Sequence, residues 1–221
     1  MEYRIAETFI SVNGEGTRSG QLALFIRFAG CNLNCSYCDT AWANEEDTPV
    51  CIRTEEEICE LTAQSGIRNV TITGGEPLIQ PGMHELLTKI SAGKDLRIEI
   101  ETNGSVSLSS YSDLPPNVSF TMDYTLKGSG QEASMQTDNL KLLRMQDTVK
   151  FVVSDREDLE HAHAIIREYD LSGRCHIMIS PVFGRIRPEK IVEYMKEKRL
   201  NDVNLQLQIH KVIWNPMTKG V

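Results

Sequence analysis

The chain has 221 residues, 40% of them hydrophobic and 24% charged, enough to bury a sizeable core and too apolar overall for a disordered chain. A formal net charge of −8 argues against non-specific nucleic-acid binding, which needs clustered Lys and Arg. No segment approaches the ~20 apolar residues of a membrane span, and Met1 to Glu7 lack the apolar stretch of a signal peptide. The expectation is a cytoplasmic protein whose six cysteines are thiols or metal ligands rather than a disulfide framework.

In chain order, Leu22 to Phe28 is an apolar strand that runs into Gly30 and Cys31. Thr54-Glu55-Glu56-Glu57 has the form of a capping box, opening a helix whose apolar stripe starts at Ile58 and Leu61 and which stops at Gly66. A strand over 69–73 and a helix through Leu86, Leu87 and Ile90 follow, ending near Gly93. From Leu96 to Thr102 the residues alternate, Ile98 and Ile100 on one face and Arg97, Glu99 and Glu101 on the other. Strands are expected at 118–122 and 149–153, an amphipathic helix at 155–169, a strand at 176–179 and a helix starting at Pro188. A last strand is placed at 204–209, and Gly128-Ser129-Gly130 reads as a flexible loop.

Strands alternating with helices imply a mainly parallel α/β sheet with functional residues at the strand C-termini. An eight-fold barrel takes about 250 residues, so the fold expected is an incomplete, partial TIM-like barrel of about six mainly parallel strands. No linker divides it, and residues 1–221 read as a single domain.

Cys31-Asn32-Leu33-Asn34-Cys35-Ser36-Tyr37-Cys38 carries the chemistry. A cubane [4Fe–4S] cluster ordinarily takes one thiolate per iron, so three closely spaced thiolates leave the fourth iron open to another ligand. The amino and carboxylate groups of S-adenosylmethionine (SAM) are a suitable chelator there. Zinc is the alternative, and it needs a closed set of four ligands, the fourth from Cys51, Cys59, Cys175 or a distant His. Thr73-Gly74-Gly75-Glu76-Pro77 follows the next strand; alone it reads equally as a helix start with Pro77 at the first position.

The three-cysteine loop, with Tyr37 before its last cysteine, followed by Gly74-Gly75-Glu76-Pro77, resembles the two signature motifs of the radical SAM superfamily. Glu7-Thr8-Phe9-Ile10-Ser11-Val12-Asn13-Gly14-Glu15-Gly16 resembles the substrate loop of the 7-carboxy-7-deazaguanine synthase family. Phe25 to Cys31, Cys38-Asp39-Thr40, Glu101-Thr102-Asn103-Gly104 and Leu207 to Lys211 are similar to that family too, so the likeness spans nearly the whole chain. It implies a radical SAM core and ring contraction of 6-carboxy-5,6,7,8-tetrahydropterin to 7-carboxy-7-deazaguanine with loss of ammonia, in queuosine and 7-deazapurine biosynthesis. The cofactors implied are a [4Fe–4S] cluster on Cys31, Cys35 and Cys38, SAM, and Mg²⁺ on Thr40. SAM contacts are implied for Tyr37, Cys38, Asp39, Gly75 and Glu101. Substrate contacts are implied for Val12, Asn13 and Gly14, largely through backbone groups, and for Glu15, Arg27 and Thr73. Glu15 would read the guanidine-like edge of the pterin and Arg27 its carboxylate, these two forming the catalytic pair.

From the residues themselves, Glu15 has an alternative as an exposed turn carboxylate and Arg27 as a surface Arg, and Arg97, Glu99 and Glu101 read equally as a solvated strand face. The chain departs from the family at Asp123-Tyr124-Thr125-Leu126-Lys127, where the Lys is displaced, and Trp214 to Val221 receive no role. Cys51, Cys59 and Cys175 read as incidental or buried thiols and His84, His161, His163 and His176 as structural; His210 reads as structural or as a support to the site. The partners implied are a flavodoxin or ferredoxin reductant and a second copy of the chain, with no nucleic acid and no membrane. Two alternatives remain open: a radical SAM activase of a glycyl-radical enzyme, and a zinc-stabilised binding module without catalysis.

Overall fold

The computed structural model describes residues 1–216 and 218–221. The strands are β1 (Glu2–Val12), β2 (Leu22–Phe28), β3 (Cys51–Thr54), β4 (Asn69–Gly74), β5 (Arg97–Thr102), β6 (Val118–Thr125), β7 (Thr148–Val153), β8 (His176–Pro181) and β9 (Val203–Leu205). The helices are α1 (Glu55–Gln64), α2 (Met83–Ser91), α3 (Asn139–Leu142), α4 (Arg156–Glu168), α5 (Pro188–Lys198) and α6 (His210–Ile213). All strands join one nine-stranded sheet in the order β3-β1-β2-β4-β5-β6-β7-β8-β9. From β2 onward the pairings β2–β4 through β8–β9 are parallel, while β1 pairs antiparallel with both β2 and β3. The mainly parallel, partial-barrel expectation holds, with β1 and β3 added at one edge.

Strand alternation divides the sheet into two chemically different faces. Ile26, Ile72, Ile98, Ile100, Phe120, Met122, Phe151, Ile177 and Ile179 face the helices and join one core with Ile58, Leu86, Leu87, Ile90, Leu159, Ile166 and Ile191. Burying each such side chain contributes roughly 1.5–3 kcal/mol, which holds the sheet and its helical coat together. The helices start where their local chemistry dictates. Glu57 N–H donates to Thr54 Oγ1 at 3.2 Å while Thr54 N–H donates to Glu57 at 2.7 Å, the reciprocal capping box expected for α1. Asp158 N–H donates to Asp155 at 3.0 Å at the start of α4, and Pro188 occupies the first turn of α5.

The opposite face is polar yet buried: Thr71, Thr73, Glu99, Thr121, Thr148, Lys150 and Ser180 all lie on it. Glu15, in the loop after β1, pairs with Lys150 on β7, with β2, β4, β5 and β6 between them in the sheet order. Only a curled sheet brings these two together, so the polar face lines a lumen.

Two expectations are corrected. The last strand ends at Leu205, not at 209. Its backbone leaves the sheet, and Ile209 N–H instead donates to Gly14 C=O at 3.2 Å. Gly128-Ser129-Gly130 is not a free loop: Ser129 is buried in a 3-10 turn, its Oγ donating to Leu126 C=O at 2.6 Å.

Candidate active site

The cysteine loop leaves the C-terminal end of β2 and is fastened on three sides. Gly30 N–H donates to Ala43 C=O at 3.1 Å, and Gly30 C=O accepts from Glu76 N–H at 2.9 Å. Ser36 donates to the turn after β6, its N–H to Ser129 C=O at 3.0 Å and its Oγ to Gly128 C=O at 2.8 Å. From β5, Asn103 Nδ2 reaches Cys31 Sγ at 3.6 Å and Asn32 Oδ1 at 3.2 Å. Cys31, Cys35 and Cys38 are all free thiols, the first two half-buried and the third exposed. Burial pushes Cys35 up to about 11, and the proximity of Cys38 and Cys31 adds to the shift. This donor set, three neighbouring thiols on one loop that opens toward the lumen, fits a cubane with one thiolate on each of three irons. Among the described residues, no three His, Cys, Asp or Glu side chains converge closely enough to enclose a single ion.

The Gly74–Pro77 segment locks onto this loop through its backbone. Gly75 N–H donates to Phe28 C=O at 3.2 Å. A Cβ at Gly75 would collide with Gly30 C=O and Asn44, so this glycine is required first by the chain's own close approach. Glu76 is wholly buried and accepts from Leu78 N–H at 2.9 Å, Thr102 Oγ1 at 2.9 Å and Asn103 N–H at 2.6 Å. It thereby ties the end of β4 to the end of β5. Reasoning from sequence gave no role to Glu76 or Asn103, although both stand in quoted motifs. A carboxylate directly after two glycines at a strand end was the signal available.

The N-terminal segment divides into strand and loop. Glu7 to Val12 are paired within β1, and the turn begins at Asn13. Asn13 N–H donates to Gln21 C=O and Asn13 C=O accepts from Gly20 N–H, both at 2.8 Å, while Gly14 C=O accepts from Ile209. Turn closure and the tail thus use both backbone groups of Asn13 and the carbonyl of Gly14. What faces inward instead is the Asn13 side chain, whose Oδ1 accepts from Thr71 at 2.9 Å and whose buried Nδ2 has no partner among the described residues. His210 closes over the same loop, since a Cβ at Gly14 would collide with its ring.

Glu15 is not an exposed turn carboxylate. Its side chain is 9% exposed, one oxygen paired with Lys150, and Oε1 is buried without a partner among the described residues. The Arg97, Glu99, Glu101 face is likewise not solvated as a whole: Arg97 is exposed, Glu101 half-buried, and Glu99 buried against Thr121 Oγ1 at 2.5 Å. Burial lifts the Glu99 carboxyl to about 7. Glu101 lies near enough to Lys150 and Asp123 to raise the pKa of both, which places it at the lumen wall. Arg27 and Thr73 are register partners at the ends of β2 and β4, and Arg27 Nε donates to Glu7 at 2.8 Å.

Thr40 Oγ1 lies 3.6 Å from Cys38 Sγ and makes no cap bond to the turn that follows it. Asp39 is held at 2.7 Å by Lys211, joining the cysteine loop to the C-terminal segment. The Arg185 guanidinium lies 6.0 Å above the Tyr37 ring. Lys127 points away from this site, to Glu157 at 3.3 Å. Of the remaining candidates, Cys51 is exposed and Cys59 and Cys175 pack against the core. His84 pairs with Asp113, His161 with Glu132, and His163 contacts Tyr194. Of the tail residues without a role, Met217 lies outside the described residues.

Gly16 shows how tightly the loop is fitted to the lumen. Its φ is +76°, and a Cβ there would collide with the Glu99 carboxylate; Gly20 has a φ of +85° but open space around it. Gly16→Ala is expected to cost about 1–3 kcal/mol, a fall in melting temperature of roughly 2–4 °C per kcal/mol for a chain of this size. Gly20→Ala should show the backbone strain alone. Equal melting shifts for the two variants would refute the Glu99 contact.

A mainly parallel partial barrel, with three thiols at the end of one strand and a glycine pair at the end of the next, defines a radical SAM enzyme. Residues 25–123 match the Radical SAM superfamily. The chain is 56% identical to the 7-carboxy-7-deazaguanine synthase of Clostridium acetobutylicum over 221 residues, all of both chains. It is 37% identical to that of Methanospirillum hungatei, over 96% of this chain and 86% of the relative. The crystal structure of QueE from Escherichia coli superposes with a TM-score of 0.72 at 22% identity, covering 94% of each chain, and so shares the fold. The chain belongs to the 7-carboxy-7-deazaguanine synthase family, and as a radical SAM enzyme it uses a [4Fe–4S] cluster and SAM.

Proposed function

We propose that the chain, acting as a single domain over 1–221, contracts 6-carboxy-5,6,7,8-tetrahydropterin to 7-carboxy-7-deazaguanine with release of ammonia, within queuosine and 7-deazapurine biosynthesis. The observation that carries the reading is the placing of Glu15 and Arg27 in the lumen onto which the cysteine loop and the glycine pair open. Cys31, Cys35 and Cys38 would hold the cluster, which with bound SAM supplies the one-electron chemistry that starts the rearrangement. Gly75, Tyr37, Cys38 and Asp39 lie where SAM would rest, with Glu101 available to its ribose hydroxyls. An amine whose lone pair is given to iron offers only N–H donors, so the glycine segment would meet the SAM amino group through carbonyl oxygens.

The lumen's own side chains bind and orient the substrate. Glu7 engages Arg27 at Nε, leaving the Nη pair of the fork for the substrate carboxylate. Thr73, beside Arg27 in the sheet, and Asn13 Nδ2 supply neutral contacts, and Glu15 accepts from the ring edge. Thr40 would give one neutral oxygen to Mg²⁺, with substrate oxygens and water completing the octahedron. The reading carries with it a cytoplasmic setting, a flavodoxin or ferredoxin as electron source, and a homodimer. No helix among the described residues is long and apolar enough to cross a membrane.

An anaerobic assay with reconstituted cluster, dithionite, SAM, Mg²⁺ and 6-carboxytetrahydropterin should yield the deazaguanine. SAM cleavage without pterin conversion would overturn the substrate, and zinc in place of iron would overturn the chemistry. Arg27→Gln should raise KM by about 10- to 100-fold, the equivalent of a charge-assisted pair worth roughly 1.5–3 kcal/mol.

A further inference from the structure

Lys150 and Asp123, gathered around Glu15 in the lumen, have no role in the proposed reaction. Lys150 stands third in β7, faces inward by strand alternation, and has a side chain only 8% exposed. Its ammonium lies between Glu15 Oε2 and Asp123 Oδ1, the latter at 2.9 Å. Asp123 is its register partner on β6. An ammonium taken out of water without partners costs several kcal/mol, so two carboxylates around it account for its presence. They do not account for which carboxylates these are. Asp123 belongs to the same rigid sheet, whereas Glu15 comes from a loop 135 residues away in sequence. Lys150 is the group on the sheet that anchors the Glu15 side chain, and it engages Oε2 alone. Oε1 remains buried with no partner among the described residues, and the amide donor of Asn13, two residues earlier, is in the same condition. A buried acceptor left without a partner costs about 1–3 kcal/mol. Such a group in a polar lumen marks the place of a ligand donor.

We propose that Lys150 is a positioning residue for the substrate ring: by holding Oε2 of Glu15 it turns Oε1 toward the paired N–H donors of a 2-amino-4-oxo ring, and so sets the preference for a 2-amino over a 2-oxo ring. The inference rests on assigning Glu15 to the ring edge. A 2-oxo ring would bring a carbonyl oxygen against a carboxylate held in place by the sheet, and the site would gain an unpaired acceptor as well as a repulsion. Discrimination of this kind depends on the carboxylate being unable to swing away. Without Lys150, Glu15 has no tether on the sheet and can turn aside to admit either ring.

The test is equilibrium binding to the cluster-loaded enzyme with SAM and no reductant, using 6-carboxy-5,6,7,8-tetrahydropterin and its 2-oxo (lumazine) analogue. The wild type should prefer the amino ring by about 100-fold or more. In Lys150→Met, pterin affinity should fall at least about 30-fold while the analogue changes less than about 3-fold, so that the preference collapses. SAM affinity should be unchanged, and turnover should show a raised KM with kcat at saturation within about 5-fold of wild type. The double variant Lys150→Met, Asp123→Asn removes the second carboxylate with the cation, so that the net charge of the cluster is kept and only Glu15 is left without a counter-ion, and it should lose the preference too. Lys150→Arg, which keeps a cation at the position, should recover part of it. A double variant that regains wild-type preference would reduce Lys150 to charge balance and overturn the proposal, as would equal weakening of both ligands. If the wild type binds neither ring, it is the pterin assignment that falls, and this inference goes with it.

Discussion

Cys35→Ala is expected to give a folded protein that neither holds the cluster nor turns over. The loop lies outside the apolar core, and Cys35 itself is half-buried and free. Truncating it removes no core packing, and the melting temperature of the cluster-free protein should move by no more than a surface substitution moves it, about 0.5 kcal/mol. The effect on chemistry is of another order. Burial and two neighbouring thiols push Cys35 up to about 11, so this thiol is protonated when free, and iron must displace its proton to bind. Two remaining thiolates cannot hold three corners of a cubane. Iron and sulfide per chain after anaerobic reconstitution should drop to background, the charge-transfer absorbance should vanish, and turnover should fall at least about 10³-fold, the practical floor of such an assay. Cys51→Ala, at an exposed thiol away from the loop, serves as the control and should change none of these. Full iron loading in Cys35→Ala would mean that another side chain completes the site.

The sheet core was legible because its signals are local. Ile98 and Ile100 alternate with charged residues, Thr54 and Glu57 stand three apart, and Pro188 suits the first turn of a helix and not its interior; each of these marks its own element. β1 escaped for the opposite reason. Glu2 to Val12 has no clean alternation of apolar and polar residues, and it becomes a strand only by pairing antiparallel with β2 and β3. The end of β9 was misplaced by the same kind of remote contact: Leu207-Gln208-Ile209 has strand character, yet the backbone is claimed by Gly14 across the lumen.

The site was legible as a set of motifs and illegible as a set of partners. The cysteine spacing and the glycine pair announce their chemistry within a few residues. That Lys150 meets Glu15, that Asn103 reaches Cys31, or that Ser129 supports Ser36 depends on how the sheet curls, which no local pattern encodes. The polar lumen also misleads composition-based reasoning. Charged residues alternating along β5 look solvated because polar strand faces usually are, but here a curled sheet turns that face inward and Glu99 is buried with it.

Glu76 condenses this argument into one residue, and Glu76→Leu is expected to be the most destabilising single change outside the apolar core. Three donors converge on its carboxylate from Leu78, Thr102 and Asn103, in a position with no solvent exposure. Burial lifts the group to about 7, while those donors favour the ionised form and pull it back down. Leucine fills the space but leaves three polar groups without water or a partner. At about 1–3 kcal/mol for each orphaned donor, with partial recovery from apolar burial, the loss should be roughly 4 kcal/mol. For a chain of this length that is roughly 8–16 °C in melting temperature. Glu76→Gln keeps one acceptor oxygen and sets an amide N–H₂ against the remaining donors, so it should lose about half as much. The variants should also separate structure from site. Asn103 is oriented by its bond to Glu76 and in turn touches Cys31, so Glu76→Gln, still folded at 25 °C, should lose iron faster than wild type under a chelator. A Glu76→Leu protein that melts within 2 °C of wild type would show that the ends of β4 and β5 are held together by their packing alone, with the carboxylate incidental to the loop it faces.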